Sequence, residues 1–359
     1  MGDSFGSGEG NPDTPKSGNT AALWNGHGNR NVAADEDRKC HRSGSAPAAV
    51  AATAFANQHL DTATVDFMSF ACTGDSISGM LGRYTPLEDG PNDSFAINQK
   101  DLAIATLCPA GQSCRKIDYL VVSVGGNDLG FGDILMSCIV PGRYLVAGCD
   151  TPGSTGFEAF WDRKANLPGL YDRFQNEVIG AMQAKGIVIG QILLVEYGDP
   201  LTNSNGNMCG NSLGFGLDLT DGISPNEARW ARESVVATLN QIGDQAASKW
   251  GWTRVKGVFD AYRGHGYCAP SGARWFNTNN DAKDVEGTLK AVDNRYLDWL
   301  VNNQASKGAL HPNRAGQAAT GKLIAGAMTY RAYSILDTPP PPAPAPTANP
   351  AGKSWKAQP

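Results

Sequence analysis

Three short, mostly apolar runs, each stopped by a polar turn, constrain what this chain can fold into. Residues 64–71 (TVDFMSFA) end at Cys72-Thr73-Gly74, residues 117–124 (IDYLVVSV) at Gly125-Gly126-Asn127, and residues 187–195 (IVIGQILLV) at Glu196-Tyr197-Gly198. Runs of this length and composition read as strands buried on both faces, the habit of parallel sheets. A weaker fourth run covers 254–259. Helical patterns lie around them, over 46–58, 170–184, 224–250, 285–303 and 312–333. Pro47 suits a first helical turn, and Ser224-Pro225 is a cap followed by a proline at the first helical position. Strands alternating with helices predict a parallel sheet covered on both faces. The expected architecture is therefore a three-layer α/β/α sandwich, flavodoxin-like, over residues 1–335. Residues 336–359 open on Thr338-Pro339-Pro340-Pro341-Pro342 and read as a proline-rich disordered tail.

Composition narrows the function. Hydrophobic residues make up 41% of the chain, enough for a sizeable core. The net charge is −5 with no run of Lys or Arg, which argues against a nucleic-acid surface. No apolar stretch reaches the roughly 20 residues that cross a bilayer. The eight cysteines, Cys40, Cys72, Cys108, Cys114, Cys138, Cys149, Cys209 and Cys268, are even in number and contain no C-x-x-C pair. Disulfides in an oxidising compartment fit them better than a metal site, with buried free thiols as the alternative. Paired by neighbourhood, they give Cys40–Cys72, Cys108–Cys114, Cys138–Cys149 and Cys209–Cys268. The loops at 136–163 and 203–222 are long, irregular and glycine-rich, the usual setting of functional walls.

In parallel α/β sheets ligands sit at the carboxyl ends of strands. Polar, glycine-rich sequence at such ends marks Gly74, Gly125-Gly126-Asn127 and Gly2-Asp3-Ser4. Taken singly each is a turn. Together, in this order, Gly2-Asp3-Ser4, the lone Gly74 after a strand, Gly125-Gly126-Asn127-Asp128 and His311-Pro312 resemble the blocks of the SGNH (GDSL) hydrolases. Cys40-His41-Arg42-Ser43 is similar to the secreted bacterial esterase and lipase branch.

The resemblance implies a serine esterase or lipase acting through an acyl-serine intermediate. Ser4 would be the nucleophile and His311 its base. The oxyanion hole would be the Ser4 and Gly74 N–H groups with the Asn127 amide. It implies no cofactor and no metal, a lipid or other small ester as substrate, and secretion; a monomer is the expected state. Asp3 and Asp128 are expected to organise turns, and His27, His41, His59 and His265 read as loop or surface residues. A carbohydrate acetyl esterase is the rival substrate class, with Trp161 as a stacking candidate. A non-catalytic binding protein of the same fold is the rival from another class.

Two departures stand out. The family carries an aspartate three residues before the histidine, and this chain has Gly308. The expected substitute is a backbone carbonyl from the Arg274–Asn277 loop, at Trp275, giving a Ser-His dyad. Asp281, Asp284 and Asp293 are the carboxylate alternatives. The family also leads into Gly-Asp-Ser through an apolar strand, and here only Met1 precedes the motif. The expectation is that the natural protein begins upstream of Met1, and no signal peptide is present in the sequence.

Overall fold

The computed structural model describes residues 1–18, 20–24, 34–59, 64–82, 98–139, 148–210, 223–286 and 308–328. Three strands form a parallel sheet in the order β1 (Ile117–Val122), β2 (Ile189–Val195), β3 (Thr253–Val255). Val122 lies opposite Leu194, and Leu194 opposite Arg254. Outside β1, Met1–Asp3 continues the sheet. The Met1 amino group donates to the Val121 carbonyl at 2.9 Å, Ser123 N–H to Met1 at 3.3 Å and Asp3 N–H to Ser123 at 2.9 Å. Gly2 is placed there by close approach, since a Cβ on it would lie 2.8 Å from the Ser123 carbonyl oxygen.

The main helices follow in chain order: α1 (Ser4–Ser7), α2 (Pro47–Gln58), α3 (Gln99–Leu107), α4 (Thr155–Arg173), α5 (Ala237–Trp250) and α6 (Arg314–Ala327). The period-two alternation of the strands divides the core in two. Leu120, Val122 and Leu194 pack with Leu102 and Ala103 of α3, Phe160 and Tyr171 of α4, and Leu239 and Ile242 of α5. Leu193, Val195 and Val255 face the other way, onto Ala51 of α2 and Ile324 and Ala325 of α6. The two apolar clusters lie on opposite faces of the sheet, so the fold is the expected α/β/α sandwich.

Several elements differ from the sequence expectation. Residues 64–71 are extended but carry no ladder. Cys72 N–H donates to the Gly2 carbonyl at 3.0 Å. The Ala71 and Phe70 carbonyls are taken by the buried Arg42 guanidinium at 2.8 and 3.5 Å. Side-chain donors stand where a neighbouring strand would. Helix α4 begins at Thr155, well before the expected 170, because Ser154 caps it by accepting the Phe157 N–H at 3.3 Å. Pro168 is accommodated within it. The end of the fourth run turns helical at Val258–Ala261. The 224–250 helix is continuous through a π-helical turn at Ala231–Val236, opened by a capping box of Ser224 and Glu227. The 285–303 helix beyond Glu286, the loop at 211–222 and the tail at 336–359 lie outside the described residues.

The cysteines are joined as Cys40–Cys72, Cys108–Cys114, Cys138–Cys149 and Cys209–Cys268, the neighbourhood scheme. Replacing Gly2 by alanine should push Met1–Asp3 off β1. The expected loss is roughly 1–3 kcal/mol, the usual cost of overpacking. A melting temperature equal to that of the parent protein would show that this edge can shift freely.

Candidate active site

The site begins with Asp3, 2% exposed, where the edge segment leaves the sheet. Its Oδ1 accepts the N–H of Phe5 at 3.0 Å and of Gly6 at 3.4 Å, capping α1 so that Ser4 is the first helical residue. Its Oδ2 accepts the Tyr197 hydroxyl. Burial pushes the Asp3 carboxyl up to about 6, against the pull of these donors.

His311 approaches from the other end of the chain. Its Nε2 is 2.7 Å from Ser4 Oγ, across 307 residues of sequence. Its Nδ1 faces the Ala309 carbonyl at 3.1 Å. A carbonyl can only accept, so that bond places the hydrogen on Nδ1 and leaves Nε2 to accept from the serine. The turn that achieves this is strained. Leu310 has φ +64°, and His311 N–H returns to the Gly308 carbonyl at 3.2 Å. A non-glycine residue held there costs on the order of 1–3 kcal/mol and persists where its surroundings fix it. Asn277 supplies part of that fixing, accepting the Leu310 N–H at 3.0 Å and donating to the His311 carbonyl at 2.9 Å. Phe5 packs against the imidazole with ring centroids 5.2 Å apart.

The Trp275 expectation is corrected here. Its carbonyl accepts the Asn313 N–H at 2.8 Å, because Asn313 is the cap of α6 and ties this loop to the helix start. Its ring stacks on His265 at 4.0 Å. The carbonyl beside His311 comes instead from two residues upstream, turned back by the left-handed Leu310. Of the carboxylate alternatives, Asp281 is held by Arg274 at 3.0 Å and the Thr278 N–H at 2.9 Å. Asp284 is exposed, and Asp293 lies outside the described residues.

Gly74 stands in a turn and Asn127 in the short helix Gly126–Leu129 beside it. Asn127 Nδ2 donates to the Asp75 carbonyl at 2.7 Å, leaving the second hydrogen of its amide. Gly74 has φ +70° and is exposed. Among the described residues neither its N–H nor that of Ser4 has an internal acceptor. The Cys40–Cys72 bridge and the 3.1 Å bond from Thr73 N–H to the Cys40 carbonyl anchor the Gly74 loop. Asp128 accepts the Ile77 N–H at 3.0 Å. Burial raises both its carboxyl and that of Asp75, the latter to about 7.

Sequence reasoning missed three partners. Gln99 is 2% exposed and matches both backbone groups of Gly2, Oε1 accepting its N–H at 2.9 Å and Nε2 donating to its carbonyl at 2.6 Å. Its Nε2 also lies 2.6 Å from Asp75 Oδ2. Tyr197 donates to Asp3 and accepts the Gly126 N–H at 3.1 Å, joining the nucleophile turn to the Asn127 helix. The third is the pair of Glu9 and His41, with Nδ1 to Oε1 at 2.7 Å. His41 is 3% exposed rather than a surface residue, with Trp24 stacked on it at 4.2 Å. His59 packs on Phe55, and His27 lies outside the described residues. The proximity of Glu9 to Ser4 was the one visible signal among these.

A carboxyl whose folded pKa is raised stabilises the fold at low pH and loses that contribution as pH rises, here from about 4 towards about 6 for Asp3. Tyr197→Phe removes a donor that lowers this pKa, so it should rise further. The stability deficit of the variant should therefore widen from pH 5, below the folded value of about 6, to pH 8, above it. Urea midpoints at the two pH values measure it, and an equal deficit at both would show that the hydroxyl does not stabilise the carboxylate.

No known family profile and no curated protein sequence matches the chain. Two solved structures are similar to it in fold. One is an extracellular lipase from Streptomyces rimosus, at 18% identity and a TM-score of 0.49, covering 91% of this chain and 97% of that one. The other is phospholipase A1 from Streptomyces albidoflavus NA297, at 20% identity and a TM-score of 0.47, covering 90% and 94%.

Proposed function

We propose that this chain is a serine ester hydrolase of the SGNH type that works with a Ser4-His311 dyad. The observation that carries the reading is the 2.7 Å contact between Ser4 Oγ and His311 Nε2, with Nδ1 held by a backbone carbonyl. A serine hydroxyl is a weak nucleophile until a base takes its proton, and this imidazole is in the tautomer that can do so.

In the proposed reaction Ser4 Oγ attacks the ester carbonyl carbon as His311 Nε2 takes the hydroxyl proton. Charge collects on the carbonyl oxygen and is met by the Ser4 N–H, the Gly74 N–H and the Asn127 amide. His311 returns the proton to the departing alcohol, leaving acyl-Ser4. Water, deprotonated by the same imidazole, then releases the acid. A carbonyl partner stabilises the imidazolium less than a carboxylate would but fixes the tautomer, the part of the role that depends on geometry. Carboxylic esters with acyl-lipid or short acyl chains are the proposed substrates. The four disulfides fit a secreted enzyme in an oxidising compartment.

Ser4→Ala should abolish both p-nitrophenyl ester hydrolysis and fluorophosphonate labelling with the fold intact. Turnover far above background in that variant would refute the mechanism. Rates on triacylglycerol, phospholipid, a p-nitrophenyl chain-length series and acetylxylan separate a lipolytic enzyme from a carbohydrate acetyl esterase.

Asn127→Ala removes one oxyanion donor. Losing such a donor costs about 10²–10³ in kcat, with KM little changed because the bond strengthens only in the transition state. Steady-state kinetics within threefold of the parent enzyme would take Asn127 out of this role.

A further inference from the structure

Position 308, where the resembled family carries its aspartate, is glycine for a steric reason. A Cβ on Gly308 would meet the Gly10 Cα at 2.6 Å and Glu286 Oε2 at 2.7 Å. The space beside the His311 turn is thus already held, and part of what holds it is a carboxylate from elsewhere in the chain.

Glu286 lies in the helix Asn279–Glu286. Its Oε1 accepts the Gly10 N–H at 2.6 Å and its Oε2 accepts the Gly308 N–H at 3.0 Å. Gly10 belongs to the loop that follows Ser4 and α1. Gly308 opens the turn that closes on His311. One side chain therefore spans the two segments that carry the dyad. Asn277 reinforces the same junction, its Nδ2 donating to the Gly10 carbonyl at 3.1 Å. The turn has need of such a holder, because Leu310 sits at φ +64° immediately before His311. Glu9, 0% exposed, and His41 pack beside the carboxylate, one oxygen or ring nitrogen of each of the three lying within 4.8 Å of the others.

We propose that Glu286 is a positioning residue for the dyad. It does not take the imidazole proton. It fixes the backbone on both sides of the Ser4-His311 contact and keeps the left-handed turn closed. This rests on the assignment of Ser4 and His311 as nucleophile and base. The chemistry requires glutamate. Glutamine offers one acceptor oxygen and would set its amide N–H₂ against a backbone N–H, while aspartate is one methylene too short to reach both donors.

The test is Glu286→Gln in the full chain, with kcat normalised to active sites titrated by the p-nitrophenol burst. Misplacement of a catalytic group by about 1 Å costs up to 10²-fold, so kcat per titrated site should fall about fivefold or more with KM within about threefold. A purely structural role would lower the number of titratable sites and the melting temperature, but not kcat per site. Leu310→Gly added to Glu286→Gln should recover part of the loss, since glycine takes the positive φ without strain. Where Glu286→Gln fails to fold, Gly308→Ala disturbs the same bond from the other side and is held to the same criterion. A fall of less than fivefold per site overturns the proposal. So does activity that EDTA removes and a divalent cation restores, which would make Glu286 a metal ligand. Wild-type and Ser4→Ala controls separate the two claims. A dead Ser4→Ala with a normal Glu286→Gln refutes the clamp alone, whereas an active Ser4→Ala removes the dyad reading and the clamp with it.

Discussion

The buried carboxylate of Asp3 is the constraint on which the rest of this site depends. It sits at the point where a sheet segment must become a helix, and each of its oxygens is committed to a different side of the site. Oδ1 starts α1 at Ser4. Oδ2 binds Tyr197, whose oxygen also receives the N–H of Gly126. The Ser4 turn and the Asn127 helix are thereby referred to one charged group. Burying a carboxylate is costly unless it is hydrogen-bonded, and burial raises Asp3 to about 6 against the opposing pull of its donors.

Gln99 performs a related task with neutral chemistry. By matching both backbone groups of Gly2 and reaching Asp75, it holds the edge segment and the Gly74 loop in one frame. An amide side chain carries a donor and an acceptor in the arrangement of a peptide group, so it can complete a ladder where no strand does. Arg42 does the same for the carbonyls of Phe70 and Ala71. These substitutions explain how residues 64–71 stay extended, with Ser69, Phe70 and Ala71 buried, without a regular ladder, and why the strand pattern in the sequence was realised only in part.

The histidine side is built differently. The Ala309 carbonyl faces Nδ1, and it is brought there by the left-handed Leu310, the next residue. Sequence reasoning placed the carbonyl in the Trp275 loop because that loop is tethered by Cys268 and an aromatic anchor. The loop is indeed adjacent, with Phe276 bridged to Pro312, but its carbonyl is taken by the cap of α6. A positive φ at leucine has no signature in sequence, so the correct acceptor could not be read from composition or spacing.

What the sequence alone determined is what depends on local pattern. The period and length of apolar runs specified parallel strands, the proline and serine starts specified helices, and the glycine-bounded polar turns marked Ser4, Gly74 and Asn127. Cysteine order suggested the pairing that the structure contains. Tertiary structure decided what depends on which distant backbone groups are left without partners. It placed Gln99 against Gly2, Tyr197 against Asp3 and Glu286 between Gly10 and Gly308, contacts that join residues 97, 194, 276 and 22 positions apart. A buried N–H or carbonyl must find a partner wherever the fold offers one, and the choice is made by three-dimensional proximity, which a one-dimensional pattern does not encode.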